Sequence, residues 1–452
     1  MGSLFTGLRI ASNALDAFQH AINVTSTNVT NASTPGYARQ QAVLSANRFD
    51  SYTAVGGGVK YSGTVDSRDE YAERSVRQSV SREGEASQRA KNYTRLEQIL
   101  PVDGTSGISA ALDSFFRAFS RLTTAPNDAT ARQLALDQAK QVALSFTQAS
   151  ATLDQVKQGT QQDLTSQVDQ VNTLAANIVS INKQYLQSAD AIDDPGLNAQ
   201  MAQSLEQLSQ YVDVTVLKQD DGTVMVYAGQ SLLVAGDRAM PLEWVSGAGR
   251  RVLQDSQGND VSTTLRSGSL SALLDQANNV EPALASDLNQ MAQSFATAVN
   301  TALASGVDQS GNSPAQGLFS FDPAAGASKT IAVTSLQPSE LALADPTAPG
   351  GNAVAVDVVN LQKASLVGGA TLTQYYGNIA ARVGQSLSNA KSDQAMAESL
   401  SAQAQSLRSD MQGVSLDQEA MNLLELQRGY DATSQLVKVI NQLTEDVINL
   451  LQ

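Results

Sequence analysis

The chain contains no cysteine and a single histidine, His20. Without thiols there is no disulfide framework, no thiolate nucleophile and no cysteine zinc site. One histidine leaves one imidazole for a triad, a dyad or a metal. Basic residues are also scarce: 29 Lys and Arg stand against 44 Asp and Glu, a formal charge of 29 − 44 = −15, with no basic block or stripe. No nucleic-acid partner is expected of such a surface, nor an anionic-lipid one. No run of 18 apolar residues occurs, so no membrane insertion is expected. Residues Met1 to Arg9 lack a basic leader, an unbroken apolar stretch and a cleavage site. That disfavours a cleaved signal peptide and leaves other export routes open. The missing cysteine suits a subunit that is exported unfolded and must not cross-link afterwards.

What is present is two heptad seams, one near each end. Leu4, Leu8, Ala11, Leu15, Phe18, Ile22, Thr25 and Val29 recur at alternating spacings of four and three. Leu423, Leu426, Tyr430, Thr433, Val437, Ile440, Thr444, Val447 and Leu451 do the same, starting from three. A period of 3.5 places each set on one stripe of a helix. Two such seams most simply pair with each other, folding the chain back into a terminal coiled coil. Flanking residues extend both stripes: Leu424, Leu436, Val439, Leu443 and Leu450 on one helix, Gly7, Ala14 and Ala21 on the other. A two-helix hairpin buries one stripe per helix, and each large side chain left in water forgoes about 1.5–3 kcal/mol. Neighbouring subunits are the simplest cover. The seams therefore mark Leu4, Leu8, Leu15, Phe18 and Ile22, facing Leu423, Leu426, Tyr430, Val437, Ile440, Val447 and Leu451, as an assembly interface.

Between the seams, a first helix is expected from about residue 3 to 31, stopped by Thr34-Pro35-Gly36. Residues 37–70 read as extended or loop-like, with a Gly56-Gly57-Gly58 run, before helical periodicity returns over 70–100. The longest element spans about 128–187, a rod of roughly 90 Å at 1.5 Å per residue. Around Thr160 three spacings of four follow one another, a stutter that locally unwinds a supercoil. Near Tyr211 the period becomes two: Val212, Val214 and Val216, the turn Asp220-Asp221-Gly222, then Val224 to Tyr227. A helix started by Pro282, a Gly- and Pro-rich stretch over 305–350 with a strand at 330–334, and a helix over 371–411 complete the middle. The fold class is mainly α with a small β domain. Residues 1–44 and 415–452 form the terminal coiled coil, 45–210 and 268–414 a long-helix bundle arm, and 211–267 an inserted β domain.

No catalytic constellation emerges, and no enzyme is expected. His20 lies beside the N-terminal seam and reads as a half-exposed helix residue. Asp308, Ser310 and Asn312 resemble a calcium loop, but Ser313 stands where the sharp-turn glycine belongs and Phe319 where a bidentate glutamate belongs. Asp193-Asp194 and Asp220-Asp221 stand at turns, where aspartate serves its own backbone. Gly56 to Gly58 lacks the lysine and helix of a phosphate cradle. The Asn-x-Ser/Thr triplets at Asn23, Asn28, Asn31 and Asn92 read as coincidence. No cofactor is implied.

The stretch Asn28-Val29-Thr30-Asn31-Ala32-Ser33-Thr34-Pro35-Gly36-Tyr37-Ala38-Arg39-Gln40 resembles the N-terminal signature of the bacterial flagellar axial proteins, the rod, hook and hook-associated subunits. Asn28, Asn31, Pro35, Gly36, Tyr37, Arg39 and Gln40 carry the match. Gly413 to Ala420 and Leu426-Gln427-Arg428-Gly429-Tyr430 resemble the family's C-terminus. In the middle, Leu205 to Ser209 leading into Val212-Asp213-Val214, and Gly229 to Val234, are also similar. The Thr-Pro-Gly-Tyr-x-Arg-Gln form and the long helical middle are most similar to the subunits at the hook–filament junction. The resemblance implies a structural, self-assembling subunit, exported by the flagellar type III apparatus to the extracellular flagellum. Implied partners are copies of itself in a ring, hook protein, the next hook-associated protein and an export chaperone on the C-terminal helix. The 57-residue β segment is too small for the additional outer domain of some members, so their outer contacts do not carry over. Other readings are a rod or hook protein, or a soluble coiled-coil adaptor with a β ligand-binding domain.

Overall fold

The computed structural model describes residues 2–47, 57–247 and 250–449. The chain opens with helix α1 (Gly2–Asn31) and the strands β1 (Gln40–Ala46) and β2 (Val59–Asp66). Four helices follow: α2 (Glu70–Glu97), α3 (Gly107–Leu122), α4 (Ala129–Gln187) and α5 (Pro195–Tyr211). Strands β3 (Val214–Lys218), β4 (Val224–Ala228), β5 (Ser231–Ala235) and β6 (Arg238–Ala239) form one antiparallel meander. A separate hairpin pairs β7 (Glu243–Gly247) with β8 (Arg250–Gln254). Then come α6 (Ser269–Asp275), a π-turn (Gln276–Val280) and α7 (Glu281–Ala304). Short pieces β9 (Phe319–Ser320), α8 (Ala327–Thr330), β10 (Ala332–Val333) and α9 (Ala353–Asn360) lead to α10 (Leu372–Gln412) and α11 (Leu416–Asn449).

Local signals set the long helices. Asp128 caps α4, its carboxylate accepting from the amides of Thr130 and Ala131 at 2.7 and 3.3 Å. Thr371 and Gln374 form a reciprocal capping box at the head of α10, and Gly413 follows its last turn. Asp194 caps α5, with Pro195 in its first turn. The carboxylates considered for chemistry are likewise occupied by their own loops. Asp308 accepts from the amides of Ser310 and Asn312, and Asp221 from the amide and hydroxyl of Thr223.

Two apolar cores divide the body. The first gathers α3, the front of α4, α7, α9 and the front of α10 around Phe115, Phe119, Phe146, Phe295 and Phe319. Phe295 meets Phe115 edge-on at 5.2 Å and Phe319 at 5.0 Å. The second packs α4 beyond Leu164 and α5 and α6 against Val226, Leu233, Val234 and Leu253 of the strands. Arg132, buried in the first unit, donates to the carbonyls of Pro126, Pro338 and Leu341, pinning the Gly- and Pro-rich stretch.

Several expectations change. Residues 37–70 hold an antiparallel hairpin, β1 against β2, with a bulge between Ala42 and Leu44. A boundary after residue 44 would cut β1, because the hairpin lies along α1: His20 stacks flat on Tyr61 at 4.4 Å, and Gly58 abuts Ile10. Gly56 of the glycine run lies outside the described residues. The strands expected as a domain of their own share one core with α4, α5 and α6, because five-residue strands cannot enclose an apolar interior alone. Pro282 stands in the first turn of α7, as expected, but not at a free helix start. The chain is already helical from Ser269, and the π-turn, with the Glu281 amide donating to the Gln276 carbonyl, accommodates the ring and its missing donor. Thr330 ends a short helix, leaving only Ala332 and Val333 as strand.

Candidate assembly site

The seam helices α1 and α11 run antiparallel, and three contacts fix their register. Gly7 faces Ile440, a Cβ there meeting its Cδ1 at 3.5 Å; Gly429 faces the ring of Phe18, at 3.0 Å by the same measure. Asn28 donates from Nδ2 to Glu419 Oε2 at 3.1 Å. From 7 to 18 to 28 on one helix the partner falls from 440 to 429 to 419, eleven and then ten residues in each case. The glycines are holes for the large residues opposite, the knob-in-hole geometry of a coiled coil.

Burial follows the stripes unevenly. Ile440 is buried; Leu423, Leu426, Tyr430, Val437 and Val447 are half-buried, as are Leu4, Leu8, Leu15, Phe18 and Ile22 opposite. Leu451 and Leu450 lie outside the described residues. The fully covered positions of α1 are small or polar: Ala11, Ala17, Ala21, Thr25 and Asn28. Val29, placed on the stripe by its spacing, is exposed, and Asn28 takes the inward position. On α11 large apolar side chains off the seam stay in water, spread over both flanks and the back of the helix: Leu424, Leu436, Val439, Leu443 and Ile448 are between 46% and 56% exposed.

The signature residues lock this rod to the body. Asn28, 1% exposed, uses its whole amide: Nδ2 donates to the Gln40 carbonyl at 2.8 Å and to Glu419, while Oδ1 accepts from the Gln40 amide at 2.8 Å and the Tyr37 hydroxyl at 2.9 Å. Four bonds exhaust a carboxamide and leave no site for a glycan. Arg39 Nε donates to Glu419 Oε1 at 2.6 Å, and its amide to the Gln412 carbonyl at 2.9 Å. Burial, then the negative charge of Glu419, push the Tyr37 hydroxyl up to about 12, so it stays a donor. Gly36 (φ 75°) lies so close to α5 that a Cβ would sit 2.6 Å from the Ala199 carbonyl oxygen. Pro35 lines a 410 Å³ groove beside it with Gln203, Gln207 and Arg408. Asn31 works locally, donating to the Thr27 carbonyl and accepting from the Thr34 hydroxyl.

A second polar cluster continues the latch into the body. Buried Glu73 accepts from Arg68 Nη1 at 2.7 Å and from Gln412 Nε2 at 2.6 Å, with Arg408 at 3.5 Å. Burial alone would lower the Arg408 pKa, but Glu206 and Glu73 outweigh it and raise it. Arg68 Nη2 donates to the Gly36 carbonyl at 2.7 Å, tying this cluster to the turn. Glu73, Gln412 and Arg68 are the residues that seam and motif reading overlooked. Glu419 and Gly429 lie inside the C-terminal stretches already singled out, Glu419 as one of two acids, with Asp417, in the first turn of a seam helix.

Comparisons with known proteins find three families along the chain. Residues 93–319 match the family described as the flagellar hook-associated protein FlgK helical domain. Residues 8–37 match the flagella basal body rod protein family, and 409–450 the flagellar basal body rod FlgEFG protein C-terminal family. Flagellar hook-associated protein 1 of Bacillus subtilis is 28% identical over 503 residues, covering 99% of each chain. The Salmonella typhimurium protein of the same name is 28% identical over 317 residues, covering 67% of this chain but 57% of its own length. In fold the chain is similar to the flagellar hook junction protein FlgK from Burkholderia pseudomallei, with a TM-score of 0.66 at 16% identity over 76% of this chain and 100% of that one.

Proposed function

The chain belongs to the FlgK family of flagellar hook-associated proteins, and from that premise we propose that it is the subunit that joins hook to filament and self-assembles through its terminal helices. The observation that carries this reading is the α1–α11 rod, latched to a well-packed body yet left with large apolar side chains in water around α11. Five of them off the seam, each worth about 1.5–3 kcal/mol on burial, suit contact with several copies of the same chain in a ring. Hook protein and the next hook-associated protein are the neighbours above and below, and the ring adapts a flexible hook to a stiffer filament.

Before assembly α11 is only half covered, so an export chaperone has an apolar helix to hold over residues 415–452. Absence of cysteine suits passage through the type III apparatus to the cell exterior. The terminal matches alone would fit a rod protein equally; the long helical middle favours the junction. In a clean deletion, hooks without filaments and soluble flagellin in the medium are expected. Missing hooks would move the protein to the rod or hook, and intact filaments would refute an axial role. Ile440→Asp is expected to leave the body folded and block junction formation; normal filaments on that variant would overturn the seam argument.

A further inference from the structure

The two cores of the body meet at a polar layer rather than at an apolar one. On α4 the first core ends at Leu153 and the second begins at Leu164. Between them lie Gly159, the only glycine of this 59-residue helix, and the stutter at Thr160. A glycine costs about 1 kcal/mol relative to alanine inside a helix, and helix bends concentrate at such points. Packed against Thr160 is Glu281, with 0% exposure, at the first turn after the π-turn. Stutter, glycine, π-turn and buried carboxyl thus coincide in one cross-section.

Counting hydrogens at this layer shows what a proton on the carboxyl changes. The Thr160 hydroxyl lies 2.6 Å from Glu281 Oε1 and 3.1 Å from the Val156 carbonyl, but it has one proton. If Glu281 is ionised, that proton is committed to the carboxylate and the bond to Val156 is lost. If Glu281 is protonated, its O–H donates to Thr160 Oγ, and Thr160 donates to Val156, an unbroken chain. Glu281 Oε2 and Gln276 Nε2, five residues apart across the π-turn, are both buried without a hydrogen-bond partner. The charged groups facing the carboxyl are Arg251 of β8, whose Nη1 is 3.7 Å from Oε2, and Lys157 of α4, itself 3.7 Å from Asp154. Arg251 is tied to the π-turn by its backbone, its amide donating to Asn278 Oδ1 and its carbonyl accepting from Asn278 Nδ2, both at 2.8 Å. The β7–β8 hairpin is therefore pinned to the π-turn through polar bonds.

We propose that Glu281, Thr160 and the π-turn form a proton-gated hinge between the two cores, closed when the carboxyl is protonated and loosened when it ionises. A carboxylate formed here draws Oε2 toward Arg251, 3.7 Å away, or toward Gln276 Nε2 across the π-turn, and either movement strains the turn and the Asn278 clamp. Burial raises the Glu281 pKa, against smaller opposing effects of Thr160, Arg251, Lys157 and Gln276. A raised pKa in the folded chain favours the protonated state, so the hinge is tightest in acid and loosens as pH rises through that value. The proposal concerns the isolated chain and stands apart from the junction reading.

The lack of native cysteine allows spin labels at Leu144→Cys on α4 and Leu217→Cys on β3, exposed positions on either side of the layer. Pulsed dipolar spectroscopy at about pH 5 and about pH 9 brackets the range in which buried glutamates titrate. One narrow distance population in acid and a broader or shifted one in alkali are expected. Glu281→Gln, whose amide can donate to Thr160 in place of the acid, should stay narrow at both. Thr160→Val, which breaks the chain of hydrogen bonds, should be broad at both. Identical wild-type distributions at the two pH values, a pH response surviving in Glu281→Gln, or a narrow acid population in Thr160→Val would each overturn the hinge.

Discussion

Phe295 and Leu436 are both large apolar side chains on long helices, and their surroundings differ completely. Phe295 is enclosed by Phe115, Phe146 and Phe319, whereas Leu436 is half in water. The difference is regional. Of the 22 exposed large apolar side chains among the described residues, eleven lie between Met396 and Ile448, about an eighth of the chain. The body has satisfied its apolar surface internally; the C-terminal strip has not. Stability therefore resides in the first region, and the capacity to associate resides in the second.

Substitutions that separate stability from association test this division, in descending order of effect on the isolated chain. Phe295→Ala should cost about 3–5 kcal/mol, seen in the denaturation midpoint of the whole body. Glu419→Ala strands Asn28 and Arg39 and should cost about 1–3 kcal/mol. Hydrogen exchange should report that loss in α1 and α11 while the two cores stay protected; uniform loss of protection would mean the regions are one cooperative unit. Gly429→Ala presses a methyl on Phe18 and should cost about 1 kcal/mol, the low end for overpacking, with loosening confined to the rod in the same experiment. Val439→Asp should change monomer stability by less than about 0.5 kcal/mol yet abolish ring formation and filament attachment. Wild-type filaments on Val439→Asp would remove the face of α11 that carries Val439 from the interface.

How far the sequence reveals this arrangement depends on whether a residue acts through periodicity or through distant partners. The ends of α4 and α10 were legible to within a residue, because Asp128, Thr371 and Gly413 are local signals. The seams were legible for the same reason, spacing being a property of the helix itself. The β1–β2 hairpin was missed, since its strands mix polar and apolar residues with a bulge and lean on α1 rather than on a core of their own. The latch was visible only as a familiar string. Asn28, Tyr37 and Arg39 converge on Glu419, almost four hundred residues away, and no local pattern encodes that meeting. Gly429 reads as a weak point in a helix until Phe18 is seen filling the space it leaves. Val29 and Asn28 show the limit of an ideal 3.5 repeat: near the end of α1 the stripe drifts by one residue, and the buried position passes to the polar neighbour.

The antiparallel register also sets an order in time. The Asn28–Glu419 contact closes a loop of 391 residues, and closing one that long in a disordered chain would cost about 5 kcal/mol in entropy. A folded body removes most of that cost, because α2 and α10 run side by side and deliver the two ends to each other. The rod is thus conditional on the body, while each core can condense without the rod. Until the last helix has arrived, α1 has only the β1–β2 hairpin to lean on, and its α11 face must wait.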